Sequence, residues 1–273
     1  TDTVYVTIDK EAVRKSGMMM AADSIPDRMV ISLKGKSALY KGDLMMLEMI
    51  ANANWTRPIY VALTVGQENY MNLGDNFVQE GLANRITPFT TKGGGAKNFD
   101  TEKTYNNVMN KFKFGGVDRK GIYLDETVMR MCYTHRRLLS QLAANLAAEG
   151  KNEKAAEVLA LAEKEIPTYN VPADFASGSL DMVRTYLAIG QKDKAKALLE
   201  QLWTKSSQYM RWYCSLGGLR FAGVQQDCQV HIYILELLTQ LADEIDENMG
   251  TKYEQQLENI FRQYQNKGGN LQM

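Results

Sequence analysis

At 273 residues, with 45% hydrophobic and 23% charged side chains, the chain is long enough for one large domain or two modest ones and has an ordinary globular composition. Its 32 Lys and Arg balance 32 Asp and Glu, which excludes the bulk field that draws nucleic acid or an anionic surface, so no nucleic-acid partner is expected. The longest apolar stretches, such as Val230 to Leu238, fall well short of the ~20 residues of a spanning helix.

The chain opens at Thr1 with neither a signal peptide nor an initiator Met, and reads as a piece of something larger, although a processed mature protein would read the same. Val4 to Ile8 and Arg28 to Leu33 are short β-branched or apolar runs, each read as a strand. Asp43 is placed to cap a helix from Leu44 to about Asn52, and Asn54-Trp55-Thr56-Arg57-Pro58 breaks it. Ile59 to Val65 then reads as a buried strand, central in a sheet. Strand, helix and buried strand together predict a crossover with a parallel pair. Ala83 to Phe89 is a further strand, Lys92 to Lys97 a glycine-rich loop, and Asn106 to Phe114 is ambiguous between helix and strand.

Behind Asp125 the period changes to 3.6 residues, with Val128, Met131, Cys132, His135, Leu138, Leu139, Leu142 and Leu146 on one stripe. Leu142, Ala143, Leu146, Gly150, Ala155, Leu159, Ala162 and Pro167 fit the frame of a tetratricopeptide repeat, whose paired helices cross closely at a small residue. Met182, Val183, Tyr186, Gly190, Ala195, Leu199 and Leu202 repeat the frame. The surplus over the usual period lies in Thr168 to Asp174. Val224 to Asn248 and Thr251 to Gln265, turning at Met249-Gly250, form a third pair, degenerate because Gln255 stands at the crossing. The expected fold is therefore α+β/α: a small α/β sheet domain over residues 1–124, followed by all-α tetratricopeptide-like helical repeats over residues 125–273.

Motifs for chemistry are sparse. Gly35-Lys36-Ser37 resembles the end of a phosphate-binding loop, but Val30 occupies the place of its leading glycine. The Gly93–Gly95 run lacks dinucleotide-binding spacing. His135 and His231 both sit on apolar helical stripes, and Cys228 with His231 gives two ligands at most, so no metal and no cofactor are expected. Cys132, Cys214 and Cys228 form no CxxC pair; buried free thiols are expected, with pairing of Cys214 and Cys228 the alternative for an exported chain. Asp125-Glu126 is explained by helix capping, and Met18-Met19-Met20 and Met45-Met46 by adaptable packing. No GxSxG elbow accompanies the serines.

Lys41 to Leu47, Ala51 to Tyr60, Thr64-Val65-Gly66, Asn69-Tyr70, Gln79 to Ala83, Tyr105 to Phe112 and Ile122 to Glu126 together resemble the C-terminal region of a family of bacterial multi-pass membrane proteins. That family carries a domain of unknown function and is described as protein-O-mannosyltransferase-like. The resemblance implies a membrane-embedded glycosyltransferase part, absent from these residues, so it transfers no catalytic residue. It also implies a place on the periplasmic side of the cytoplasmic membrane, attached through the missing N-terminal region.

The expected role is thus a non-catalytic extracytoplasmic accessory domain binding a protein or glycan partner. Its candidate contact residues are Trp55, Arg57, Tyr70, Asp75, Glu80, Trp212 and Tyr213, the last two in an aromatic cluster with Trp203, Tyr209 and Phe221. The alternative is a carbohydrate-active enzyme using carboxylates near Asp75 and Glu80.

Overall fold

A computed structural model describes residues 2–18, 25–90 and 98–269; Met19, Met20 and the Lys92–Lys97 loop lie outside these. The chain divides into two compact units, Thr1–Phe112 and Lys113–Met273, a boundary twelve residues ahead of that drawn from the sequence. The first unit is built on small antiparallel sheets and the second is predominantly helical.

In the first unit, β1 (Thr3–Thr7) leads through α1 (Lys10–Lys15) to β2 (Arg28–Ser32). The two strands pair antiparallel, with Tyr5 opposite Val30. Alternation decides their faces: Val6, Ile8, Met29 and Ile31 are buried, while Tyr5 and Val30 face out. Next comes α2 (Lys41–Ala53), whose first turn closes when the Asp43 carboxylate accepts from the Tyr40 N–H at 2.9 Å. Asp43 therefore stands at the third helical position of a capping box and not at the cap.

The expected crossover does not form. After α2 the chain enters β3 (Tyr60–Ala62), which belongs to a second sheet with β4 (Phe77–Gln79) and β5 (Ala83–Ile86) in the order β3-β5-β4, all antiparallel. β3 is an edge strand of three residues, because the chain turns away at Leu63 instead of extending to Val65. The ambiguous stretch is helix α3 (Thr101–Lys111), capped by Asp100, which accepts from the Lys103 N–H. One core joins both sheets to α2 through Ile50, Trp55, Met71, Leu73, Phe77 and Ile86.

The second unit runs α4 (Glu126–Ala148), α5 (Asn152–Glu165), α6 (Ser179–Ala188), α7 (Lys192–Ser215), α8 (Gly218–Ala222), α9 (Gln225–Ile245) and α10 (Glu247–Asn266). Asp125 caps α4 by accepting from the Val128 N–H at 2.8 Å. Gly150 and Gly190 end α4 and α6 with φ near +75° and +79°, a region costly to other residues. Helix α4 packs on α5 and α6, α6 on α7, α7 on α9, and α9 on α10. Every residue of the two predicted repeat frames from Leu142 to Ala162 and from Met182 to Leu202, the terminating glycines aside, is buried.

The third pair breaks at Asp246, not at Met249-Gly250, and Gly250 lies inside α10. Ala155, Ala195 and Gly250 each stand four residues beyond their helix's N-cap, at Lys151, Gln191 and Asp246 respectively. Gly250, not Gln255, is thus the small residue of the third hairpin. A Cβ there would sit 2.8 Å from the Asp243 Cα on α9, closer than non-bonded carbons approach.

The 166–177 segment between α5 and α6 is fixed from within. Arg136 on α4 is only 2% exposed. Its guanidinium donates to the carbonyls of Ile166 (2.9 Å), Val171 (2.5 Å) and Pro172 (3.1 Å) and to Ser177 Oγ (3.2 Å). Burial lowers its pKa to about 10, which leaves it charged at neutral pH.

Candidate functional site

The joint after α2 is strained. Asn54 and Trp55 both adopt the left-handed region (φ 46° and 59°), which costs a non-glycine residue roughly 1–2 kcal/mol. Burial of the Trp55 ring among Met18, Ile50, Ile59 and Ile86 offsets that cost. Arg57, two residues on, is exposed. Trp55 and Arg57 do line one crevice, but at about 10 Å³ it is too small to hold a ligand.

Tyr70 and Asp75 line an open cleft of about 530 Å³ with Gln67, Asn72, Asn84 and Asn98. Tyr70 packs edge-on against Phe77, ring centroids 4.9 Å apart. Nearby Met71 and Asn72 are also left-handed, and the Asn72 amide donates to the Ser32 and Lys34 carbonyls, tying this turn to β2. The cleft is dominated by amides, which donate and accept hydrogen bonds without moving protons at neutral pH.

Glu80 does not line this cleft. Its side chain is 6% exposed and serves as an ionic hub: it accepts from Tyr60 Oη at 2.6 Å, pairs with Lys103 at 2.6 Å and lies 3.6 Å from Arg85. Its backbone carbonyl accepts from Asn107 of α3 at 3.1 Å. Burial, reinforced by the Glu80 carboxylate, pushes the Tyr60 hydroxyl up to about 12. The hub joins β3, β5 and α3 around the short β4–β5 turn. Arg85, itself buried, also reaches the Ser16 carbonyl at 3.3 Å. Paired catalytic carboxylates need a common space for substrate. Asp75 and Glu80 are not brought to one.

In the helical unit, Trp212 and Tyr213 of α7 belong to a connected aromatic group. The Tyr209 ring stacks on His231 of α9 (4.7 Å, 20°), Tyr213 lies 5.9 Å from both, and Trp212 lies 5.0 Å from Tyr213. Tyr213 is buried, and that burial raises its pKa, with Asp227 adding to the effect. Trp212 is 55% exposed, and Tyr209 is exposed beside it. Trp203 is separate, buried and stacked on Tyr253 of α10 at 3.9 Å, and Phe221 is buried against Tyr264. The predicted cluster therefore splits into a core part and a surface part. Burial depresses the His231 pKa, and its Nδ1 finds no partner among the described residues.

Lys36 of the Gly35-Lys36-Ser37 run is paired with Asp43 at 2.8 Å, so its ammonium serves the start of α2. His135 lies against the Met131 carbonyl and the Phe114 ring. The three cysteines are free and buried, and burial pushes the Cys228 thiol up to about 11. Among the described residues there is no group of three or more His, Cys, Asp or Glu suited to a metal, and no helix long and apolar enough to cross a membrane.

A family model described as TMEM260-associated domain 2 matches residues 1–103. The match covers the first unit as far as the opening of α3 and leaves the helical unit outside it. No curated protein and no solved structure matches the chain.

Two features were missed in the sequence: the Glu80 hub and the Arg136 clamp. Arg136 had a readable trace, since it shares the apolar stripe with Cys132, Leu139 and Ala143, where a charge must find buried partners.

Proposed function

We propose that this chain is a non-catalytic interaction module that binds a protein or glycan partner through the aromatic surface of its helical unit. The observation that carries this reading is the exposure of Trp212 and Tyr209 over an aromatic base of Tyr213 and His231. Large rigid rings with an apolar face and few rotatable bonds are the usual anchors of recognition surfaces. The helical unit is read as tetratricopeptide-like, supported by the small residue at a common register in three successive hairpins. The resemblance, dense from about Val4 to Glu126 and looser into the repeats, supports an extracytoplasmic, periplasmic setting within a larger membrane protein of protein-O-mannosyltransferase-like type, attached to the membrane through a part outside these residues. The matched family model supports a TMEM260-associated domain and lends no support to the mannosyltransferase-like part of this reading.

A direct test uses the tryptophans as reporters. Trp55 and Trp203 are buried and Trp212 is the exposed one, so surface binding is read from Trp212 emission. A panel of oligosaccharides and short peptides is titrated, and hits are repeated on Trp212→Ala and Tyr209→Ala. Binding lost in both variants supports the reading; hits that bind both variants unchanged overturn it. The hydrolytic alternative predicts reducing-end release from the same oligosaccharides that stops on Asp75→Asn.

A further inference from the structure

We propose that the open edge of β1 is a two-fold interface at which a second copy of this chain pairs its own β1. This concerns self-association and is independent of the aromatic-surface reading. The pairing of β1 with β2 fixes which backbone groups are free. Leu33 N–H donates to the Asp2 carbonyl and Ile8 N–H to the Asp27 carbonyl, in one register with Val4 opposite Ile31 and Val6 opposite Met29. Antiparallel alternation then turns the N–H and C=O of Thr3, Tyr5 and Thr7 away from β2. No described strand pairs with them there.

Unpaired edges are normally blunted by charge, proline, a bulge or a covering segment. The other edges of this unit follow that rule. β3 has three residues; the outer side of β4 is covered by Gln79 N–H on Asn98 and Asp100 N–H on Gln79; and the Asn72 amide occupies the Ser32 and Lys34 carbonyls at the end of β2. Thr3-Val4-Tyr5-Val6-Thr7 itself carries no charge and no proline, and among the described residues no backbone group bonds its outward side. Beside it runs a cleft of about 650 Å³, one wall made by residues 4–9 and the other by Leu44, Leu47, Glu48, Ala51 and Asn54. The cleft is open to solvent, and Leu44, Leu47 and Ala51 make part of its far wall apolar.

The sequence of the edge selects the occupant. Thr-Val-Tyr-Val-Thr is a palindrome centred on Tyr5. Antiparallel pairing about a two-fold at Tyr5 sets Tyr5 opposite Tyr5, Thr3 opposite Thr7 and Val4 opposite Val6. In that register every outward backbone group meets an outward group of the other copy. A slip of one residue sets outward groups against inward ones and loses the bonds. The strand carries no charge, so nothing along it repels its copy, and the Tyr5 side chain, 61% exposed, gains a like neighbour. Such an isologous contact closes on itself as a dimer.

The test is the mass of the 273-residue chain in solution. Five-residue edge pairing is a small contact, so sedimentation is followed up to about 1 mM. The mass is expected to rise with concentration from 30.8 kDa to twice that value. Tyr5→Lys and Tyr5→Glu each place like charges on the axis and are expected to weaken association at least about tenfold, whereas an equimolar mixture re-forms a mixed dimer. Tyr5→Cys gives an independent readout: directly opposed bonded residues lie ~5.5 Å apart at Cα, within disulfide range, and the native cysteines are buried. Mild oxidation should yield a covalent dimer. A wild type that stays at 30.8 kDa throughout, charge variants that associate like wild type, a mixture that does not recover, or a Tyr5→Cys variant that forms no cross-link each overturns the proposal.

Discussion

Replacing Arg136 with Met is expected to unfasten the 166–177 segment while keeping most of the buried volume. The guanidinium holds the carbonyls of Ile166, Val171 and Pro172, and no other described donor serves those of Val171 and Pro172. Leaving a buried acceptor unsatisfied costs about 1–3 kcal/mol. Some of that is recovered as the half-exposed loop admits water, and removing a buried charge also returns part of its desolvation cost. A net loss of roughly 3–5 kcal/mol remains, about what is lost when one side of a buried polar set is removed. For a unit of this size that is a fall of roughly 10 °C in Tm. Arg136→Lys keeps the charge but its compact ammonium cannot reach three divergent carbonyls at once, so it should recover only part. Calorimetry gives the midpoint, and hydrogen exchange of residues 166–177 gives the location. A Met variant within ~1 kcal/mol of wild type, with unchanged exchange in that segment, would refute the clamp.

Gly250→Ala should destabilise the helical unit by roughly 1–3 kcal/mol through the clash with Asp243, although alanine is the better helix former; a gain in Tm would disprove the close crossing. Trp55→Ala should cost ~3 kcal/mol or more, as aromatic core truncations do, read by the denaturation midpoint of the first unit, and an unchanged midpoint would make the joint a surface feature. His231 has a folded pKa below 6.5, so its neutral form is the one the fold favours. Stability of the helical unit should therefore be level above that value and fall as pH drops below it; His231→Phe should flatten the profile between about pH 7 and 5, and an unchanged slope would exclude His231 as the cause. Asp43 has a depressed carboxyl pKa because Lys36 and the Tyr40 N–H bond its charged form. Its stabilisation is present above 3.8 and is lost as pH falls through the lower folded value. Lys36→Met should raise that pKa by NMR titration toward the ordinary range, and no movement would contradict the ion pair.

The helical unit was the legible part of the sequence. Its stripe is largely buried from Cys132 to Leu146, although Val128 and Met131 at its head are exposed, and Gly150 and Gly190 mark stops that local chemistry explains. Gly250 was misread because a glycine at a helix end and a glycine at a close crossing look alike in one sequence. Only the three-dimensional register from Asp246 separates them. The small sheets were harder. Tyr60 to Ala62 is too short for period to fix its partner, and an apolar run after a helix suits an edge strand as well as a central one. The Glu80 hub was hidden because Tyr60 and Lys103 are twenty or more residues away and meet only in the fold. The Arg136 clamp binds backbone carbonyls, which carry no side-chain signature. The aromatic run from Tyr209 to Tyr213 was visible, but its division into a buried base and an exposed Trp212 was not.

The central claim, recognition through the α7–α9 aromatic surface without catalysis, is tested most directly by one paired affinity measurement. The tightest ligand from the oligosaccharide and peptide panel is titrated calorimetrically against wild type, Trp212→Ala and Asp75→Asn. Losing a well-packed aromatic anchor costs about 2 kcal/mol or more, so Trp212→Ala should weaken binding at least ~30-fold while Asp75→Asn leaves it within about twofold and the ligand is recovered intact. Binding that survives Trp212→Ala but fails in Asp75→Asn, with the ligand cleaved by wild type, would contradict the account.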